Sequence, residues 1–154
     1  MKKLIIVFVS LLLTLSLFAG DNGEMEKTAI KKVIESAYMD GLGNVGDVEA
    51  VKKGFHPGFH ITGINNSMDD TWKYPIHSWC LSVEKKKKEG KYPPKEKITF
   101  EFPLIDVTYH AAMVKVKYLK AGKLAYTDYL SLYKFKEGWK IVGKIYFEHK
   151  KKKK

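Results

Sequence analysis

The residue types best suited to proton chemistry in this chain are one carboxylate and two imidazoles. Asp128 stands in the run Thr127-Asp128-Tyr129-Leu130-Ser131-Leu132, where period-two alternation puts it on the face of Leu130 and Leu132. If those leucines face the core, a carboxylate beside them is costly to bury unless paired or hydrogen-bonded. The alternative is a surface carboxylate paired with a lysine on an adjacent strand. His56 and His60 are the histidines expected nearest a cavity mouth, where an imidazole suits proton transfer close to neutral pH. His56 precedes Pro57, so its competing role is to fix a turn through backbone hydrogen bonds. His60 alternates with Phe59 and Ile61 and faces either the cavity or solvent. His77, His110 and His149 read as surface residues.

Aromatic side chains supply the second kind of candidate, because walls of rings with a few polar groups are usual in small-molecule pockets. Tyr38, Trp72 and Trp79 qualify by type. Tyr38 and Trp79 also fall on apolar helical stripes, for which plain core packing is the competing explanation. Trp72 follows the loop-like Asp69-Asp70-Thr71. The candidate ligand-binding set is therefore Tyr38, His56, His60, Trp72 and Asp128, with Asp128 and His60 as the candidate acid–base residues. Trp139 is expected to be structural. A metal centre is not expected, since Cys80 is the single cysteine and the five histidines show no ligand-like pairing. A lone cysteine also excludes an internal disulfide.

These residues must be positioned by helices in the N-terminal half and strands in the C-terminal half. Ile30, Val33, Ile34, Ala37 and Tyr38 make one apolar stripe over residues 24–40, and Gly41 is the expected helix stop. Asp47 is an expected N-cap for a short second helix, closed by His56-Pro57. Phe59–Ile64 reads as a strand, followed by the turn Asn65-Asn66-Ser67. Ile76, Trp79, Cys80 and Val83 mark a third helix from about Pro75 to Lys88, whose lysine block suits its C-terminal dipole end. Ile98–Phe102 and Ile105–Tyr109 follow as strands, with a bend expected at Pro103.

Three runs then succeed one another: Ala112–Leu119, Leu124–Phe135 and Trp139–Phe147. Their short Gly-containing connections predict antiparallel hairpins. Val114, Val116 and Tyr118 should oppose Lys115 and Lys117. Tyr129, Tyr133 and Phe135 should oppose Leu130 and Leu132. In the last run, Lys140 and Lys144 are expected in water, with Trp139, Ile141, Ile145 and Phe147 inward. An apolar strand on both faces predicts a partner for the outer one, most simply a second copy of the chain.

Residues 1–20 have the layout of a secretory signal peptide: Met1-Lys2-Lys3, an apolar run over Leu4–Phe18, then Ala19-Gly20. The run is shorter than the roughly 20 residues a spanning helix needs, which favours cleavage over the alternative of an uncleaved membrane anchor; no stable membrane insertion is expected after cleavage. This divides the chain into a signal segment (1–20), one domain (21–149) and a lysine tail (150–154). Export to the periplasm or beyond follows as an expectation. The net charge of +11 falls to +9 without Lys2 and Lys3, and to +4 without Lys150–Lys154. Charge in blocks, with no arginine-and-aromatic reading surface, argues against nucleic-acid recognition.

Helices first and a bent antiparallel sheet afterwards resemble the cone-shaped fold of the nuclear transport factor 2-like superfamily. Tyr38-Met39-Asp40-Gly41, Gly46-Asp47 and Phe55-His56-Pro57 resemble the opening of its putative lumazine-binding branch. Ile105-Asp106-Val107 with Ala111-Ala112 and Val114 is similar to that branch's mid-sheet segment. Thr127–Leu132, Gly138–Val142 and Lys144-Ile145-Tyr146 complete the likeness, which spans nearly all of residues 21–149. It implies an α+β fold with a strongly curved antiparallel sheet, a pocket between sheet and helices, and frequent dimerisation through the sheet. Members include dehydratases, isomerases and polyketide cyclases, and the enzymes commonly use a carboxylate–histidine pair. The expected function is that of an exported small-molecule-binding protein without a cofactor. The alternatives are an isomerase or dehydratase using Asp128 and His60, and a dimeric interaction module. Fold alone does not choose among them.

Overall fold

A computed structural model describes residues 23–149; the expected signal segment and lysine tail lie outside the described residues. The chain opens with one long helical segment, α1, which is α-helical over residues 23–33 and continues as a π-helix over Ile34–Asn44. The wider turns end in a bond from the Val45 N–H to the Asp40 carbonyl, 2.8 Å. π geometry is rare and occurs mostly as single-turn bulges inside α-helices, frequently at functional sites; this longer stretch carries Tyr38. Gly41 lies within the helix rather than ending it, correcting the expected stop. Its role is close approach, because a Cβ there would sit 2.9 Å from Val51 Cγ2 on the next helix. That helix, α2 (Val48–Gly54), is capped as its sequence predicts. The Asp47 carboxylate accepts from the N–H groups of Glu49 and Ala50, at 3.0 and 3.1 Å.

Six strands form one sheet in the order β2-β1-β6-β5-β4-β3. They are β1 (Phe55–Ile64), β2 (Thr71–Pro75), β3 (Ile98–Thr108), β4 (Ala111–Lys120), β5 (Lys123–Phe135) and β6 (Gly138–Glu148), with α3 (Ile76–Lys88) between β2 and β3. The C-terminal three pair as antiparallel hairpins. Ala121 and Gly122 both have positive φ (48° and 73°) in the β4–β5 turn, the geometry that matches strand twist in a two-residue hairpin. The expected all-antiparallel sheet needs one correction: β1 runs parallel to β6. No local pattern announces a pairing made across so much intervening chain. β1 begins at Phe55 and so includes His56-Pro57. Trp72 lies in strand β2 and not in a loop, opposite Gly63 of β1. Pro103 does not divide β3; it sits at a bulge between Glu101 and Leu104 on an edge strand, where its missing N–H is tolerated.

The core lies between the helices and one sheet face. Ile30, Ile34, Val51, Val114, Leu130 and Ile141 are among its fully or almost fully buried members. The largest departure from expectation is in β6. Ser131 pairs with Gly143 but Leu132 with Ile141, leaving Val142 as an extra residue. Such a bulge shifts side-chain parity by one beyond it. Trp139 and Ile141 point inward before the bulge, as expected. Beyond it, Ile145 and Phe147 are turned out (56% and 63% exposed) and Lys144 is turned in, at 8%.

Candidate functional site

Continuous register from Tyr126 to Ser131 keeps the inward row of β5 regular, so Asp128 shares the face of Leu130 and Leu132 and is fully buried. Its carboxylate has two partners. The Tyr38 hydroxyl donates to Oδ2 at 2.7 Å, and Lys144 Nζ lies 3.0 Å from the same oxygen. Lys144 also donates to the Tyr38 hydroxyl. Asp128 thus combines both readings of its sequence position: it is sealed in the core, and a lysine of the neighbouring strand pairs with it. Oδ1 has no hydrogen-bond partner among the described residues.

Rings enclose this cluster. Lys144 Nζ sits 4.8, 5.2 and 5.6 Å from the ring centres of Tyr38, Tyr146 and Trp79, distances at which a desolvated cation is attracted to the ring faces. Tyr38 packs edge-on to Phe100, Trp79 and Phe55, at 4.9, 5.6 and 6.2 Å. Burial lowers the Lys144 pKa despite the opposing pull of Asp128. Burial first, and the Asp128 charge second, push the Tyr38 hydroxyl well above its ordinary range. Burial also raises Tyr118, Tyr126 and Tyr146.

These shifts set an alkaline signature. Lys144, lowered in the fold, adds stability with rising pH only up to its unfolded value near 10.5. Tyr38, raised in the fold, contributes stability that is complete below about 10 and lost as pH climbs further. Above 10.5 Tyr38 contributes about 1.4 kcal/mol per pH unit to the fall, on top of what the other raised tyrosines, Tyr118, Tyr126 and Tyr146, add. Tyr38→Phe is expected to flatten the fall of stability between pH 10.5 and 12 by about that slope. Urea midpoints taken through this range check it; an unchanged slope would remove Tyr38 from the account.

Two adjoining cavities open beside the cluster, where β4 ends, β5 begins and β6 ends. One, of about 560 Å³, lies among Tyr38, Trp79, Tyr92, Lys95, Glu96 and Tyr118. The other, of about 330 Å³, reaches Ile61, Tyr126, Lys144, Tyr146 and Glu148. Tyr38, Trp79, Lys86, Tyr118 and Lys120 border both. The segment after α3 is tied over the first cavity: the Tyr92 hydroxyl donates to the Leu42 carbonyl at 2.8 Å, and Asn44 exchanges bonds of 2.9 and 3.0 Å with the Ile98 backbone. Asp128 lies behind Tyr38 and Lys144 and lines neither cavity.

Of the candidates read from sequence, Tyr38 and Asp128 are brought together, and the other three stand apart from them. His56 stacks on Phe135 at 5.0 Å and accepts from the Gly58 N–H, the turn-fixing role. His60 lies 3.4 Å from the Gly58 carbonyl and is not a partner of Asp128. Trp72 donates to the Ile64 carbonyl and meets Tyr146 edge-on at 6.4 Å, next to the second cavity but outside its lining. Lys144 is the residue that strand alternation misplaces. Gly143 beside it was the available signal, because a glycine inside a strand often marks a bulge.

The family described as "Putative lumazine-binding" matches residues 25–147 through its sequence model. The chain belongs to that family. Among curated proteins none matches it. Solved structures place this Putative lumazine-binding chain in the NTF2-like fold. An NTF2-like protein of unknown function from Shewanella baltica is 23% identical over 82% of this chain and 96% of its own, with a TM-score of 0.65. A second, from Silicibacter pomeroyi, is 17% identical over 82% and 98%, also at 0.65. An NTF2-like protein from Cytophaga hutchinsonii is 12% identical over 80% and 98%, at 0.58. At these identities the likeness of structures is one of fold.

Proposed function

We propose that this member of the Putative lumazine-binding family is an exported, non-catalytic small-molecule-binding protein that takes its ligand in the paired cavities beside Tyr38 and Lys144. The observation that carries the reading is the pair of aromatic-walled cavities meeting at Tyr38, Trp79 and Tyr118. Their sizes, about 560 and 330 Å³, fall within the range of ligand pockets. The buried Asp128–Lys144–Tyr38 cluster fixes the floor, so the ligand meets a hydroxyl and an ammonium whose positions are already set. An acid–base enzyme built on Asp128 and His60 is less well supported. Catalysis by proton transfer requires groups within hydrogen-bond reach of each other and of a reacting atom; the buried carboxylate is instead engaged by Tyr38 and Lys144. Export rests on the pattern of residues 1–20.

A homodimer through the outer sheet face belongs to the same proposal. Tyr129, Tyr133, Ile145, Phe147 and Met113 present apolar surface there, each more than a third exposed, and Tyr129 lies directly opposite Ile145. Patches of this kind on a single chain mark association sites. Native mass spectrometry of the protein isolated from its own host tests both parts together. The expected spectrum is a dimer carrying a non-covalent small-molecule mass that disappears on denaturation. A strict monomer removes the dimer. A bare mass, with no rise in Tm across a panel of aromatic small molecules, removes the binding function.

A further inference from the structure

Charge at the cavity opening is unevenly matched. The lysines bordering the first cavity are Lys86, Lys91, Lys95 and Lys120, against a single carboxylate, Glu96. Lys91 is paired with Glu89 at 2.6 Å. Lys144, on the floor of the second cavity, is already matched by Asp128. Glu148 accepts from the Tyr126 hydroxyl at 3.3 Å. Lys86, Lys95 and Lys120 join no ion pair among the described residues.

Lys86 and Lys120 border both cavities and come from opposite walls, the last turn of α3 and the end of β4. Lys120 stands over two rings, 5.3 Å from Tyr126 and 5.8 Å from Tyr118, so its stem runs along the aromatic wall. Two unmatched cations bordering one ring-lined opening repel one another, and an anion bound there relieves that repulsion. Walls of low dielectric strengthen the attraction relative to open water. The rings of Trp79, Tyr118 and Tyr146 favour flat, polarisable partners in offset or edge-on contact. Together these features specify both halves of a ligand.

We infer that the site takes an aromatic ring system bearing one anionic group, the rings between Trp79 and Tyr118 and the anion between Lys86 and Lys120. This rests on the proposed binding function and narrows it to a charge class. The test compares two probes with the same rings, 8-anilinonaphthalene-1-sulfonate and its uncharged parent N-phenyl-1-naphthylamine, by fluorescence titration of the full chain. The sulfonate is expected to bind at least tenfold more tightly. Lys86→Glu with Lys120→Glu should abolish that preference, weakening the sulfonate at least tenfold more than the neutral probe. Lys52→Glu with Lys53→Glu on α2 makes the same change in net charge and should leave the preference intact. Equal affinity for both probes overturns the anionic assignment while the binding function stands. Equal loss from the α2 pair also overturns it, by reducing it to an effect of overall charge. Failure of both probes to bind overturns the assignment and the binding function together.

Discussion

Asp128→Leu is expected to cost the fold about 3–5 kcal/mol, the usual penalty for removing one member of a buried ion pair. Leucine has the branched shape of aspartate, so the loss reports charge and hydrogen bonding more than volume. Lys144 would be left 8% exposed with no counter-ion and only ring faces and a hydroxyl around it. Lys144→Met leaves the opposite defect, a fully buried carboxylate held by Tyr38 alone. Replacing both removes both charges, and buried pairs exchanged for apolar groups of similar size are often neutral in stability. The double variant should therefore be far more stable than the two losses added together. One defect remains in it, the Tyr38 hydroxyl stripped of its partners, which costs about 1–3 kcal/mol when buried. Adding Tyr38→Phe should recover that amount. Urea midpoints at constant m-value measure all four variants. Additive losses across the pair would show that the three side chains do not act as one unit.

The reach of the sequence differs strand by strand for a definite reason. Along β5 the pairing from Tyr126 to Ser131 is unbroken, so counting in twos from Leu132 and Leu130 finds Asp128 on the buried face. Along β6 the same counting works from Trp139 to Ile141 and then fails, because Val142 is an extra residue. Everything beyond it changes sides. A rule of period two carries no information about where the period slips, and only Gly143 hints at the place. The error is consequential, since it exchanges Ile145 and Phe147 for Lys144 and Tyr146 as inward groups. It thereby hides the one cation in the cluster and enlarges the apolar outer face.

Helices show the same division. The apolar stripe of α1 identifies Ile30, Ile34, Ala37 and Tyr38 as inward-facing, and all four are buried. It cannot show that the helix widens into π geometry at Ile34, or that Gly41 serves packing rather than termination. Cavity-lining residues were the least legible. Lys86 and Lys120 belong to runs that look solvated, and only the folded arrangement brings α3 and the end of β4 to one opening. His60 and Trp72 were plausible by type; they lost to Lys144, Tyr118 and Tyr146 because strand order, not residue type, decides which side chains meet.

Gly54→Ala is expected to be strongly damaging for a change of a single carbon. A Cβ at Gly54 would lie 2.3 Å from Ala37 Cβ and 3.3 Å from Val33 Cγ1. Ala37 has no torsion with which to move aside, so the backbones of α1 and α2 must separate. Overpacking of this kind costs about 1–3 kcal/mol, and here the upper end applies because the obstructing atom is rigid. The displacement also reaches the site, since Ala37 precedes Tyr38, whose hydroxyl holds Asp128. Moving the missing methyl across the interface separates crowding from other causes. Ala37→Gly alone should cost about 2 kcal/mol, roughly half from the helix propensity of glycine and half from the loss of a buried methyl. Combined with Gly54→Ala it restores the lost space, so the double variant should be more stable than Gly54→Ala itself. Thermal and urea unfolding of the three variants decide the matter: a double variant as unstable as the sum of its parts means the two backbones do not touch where Gly54 faces Ala37.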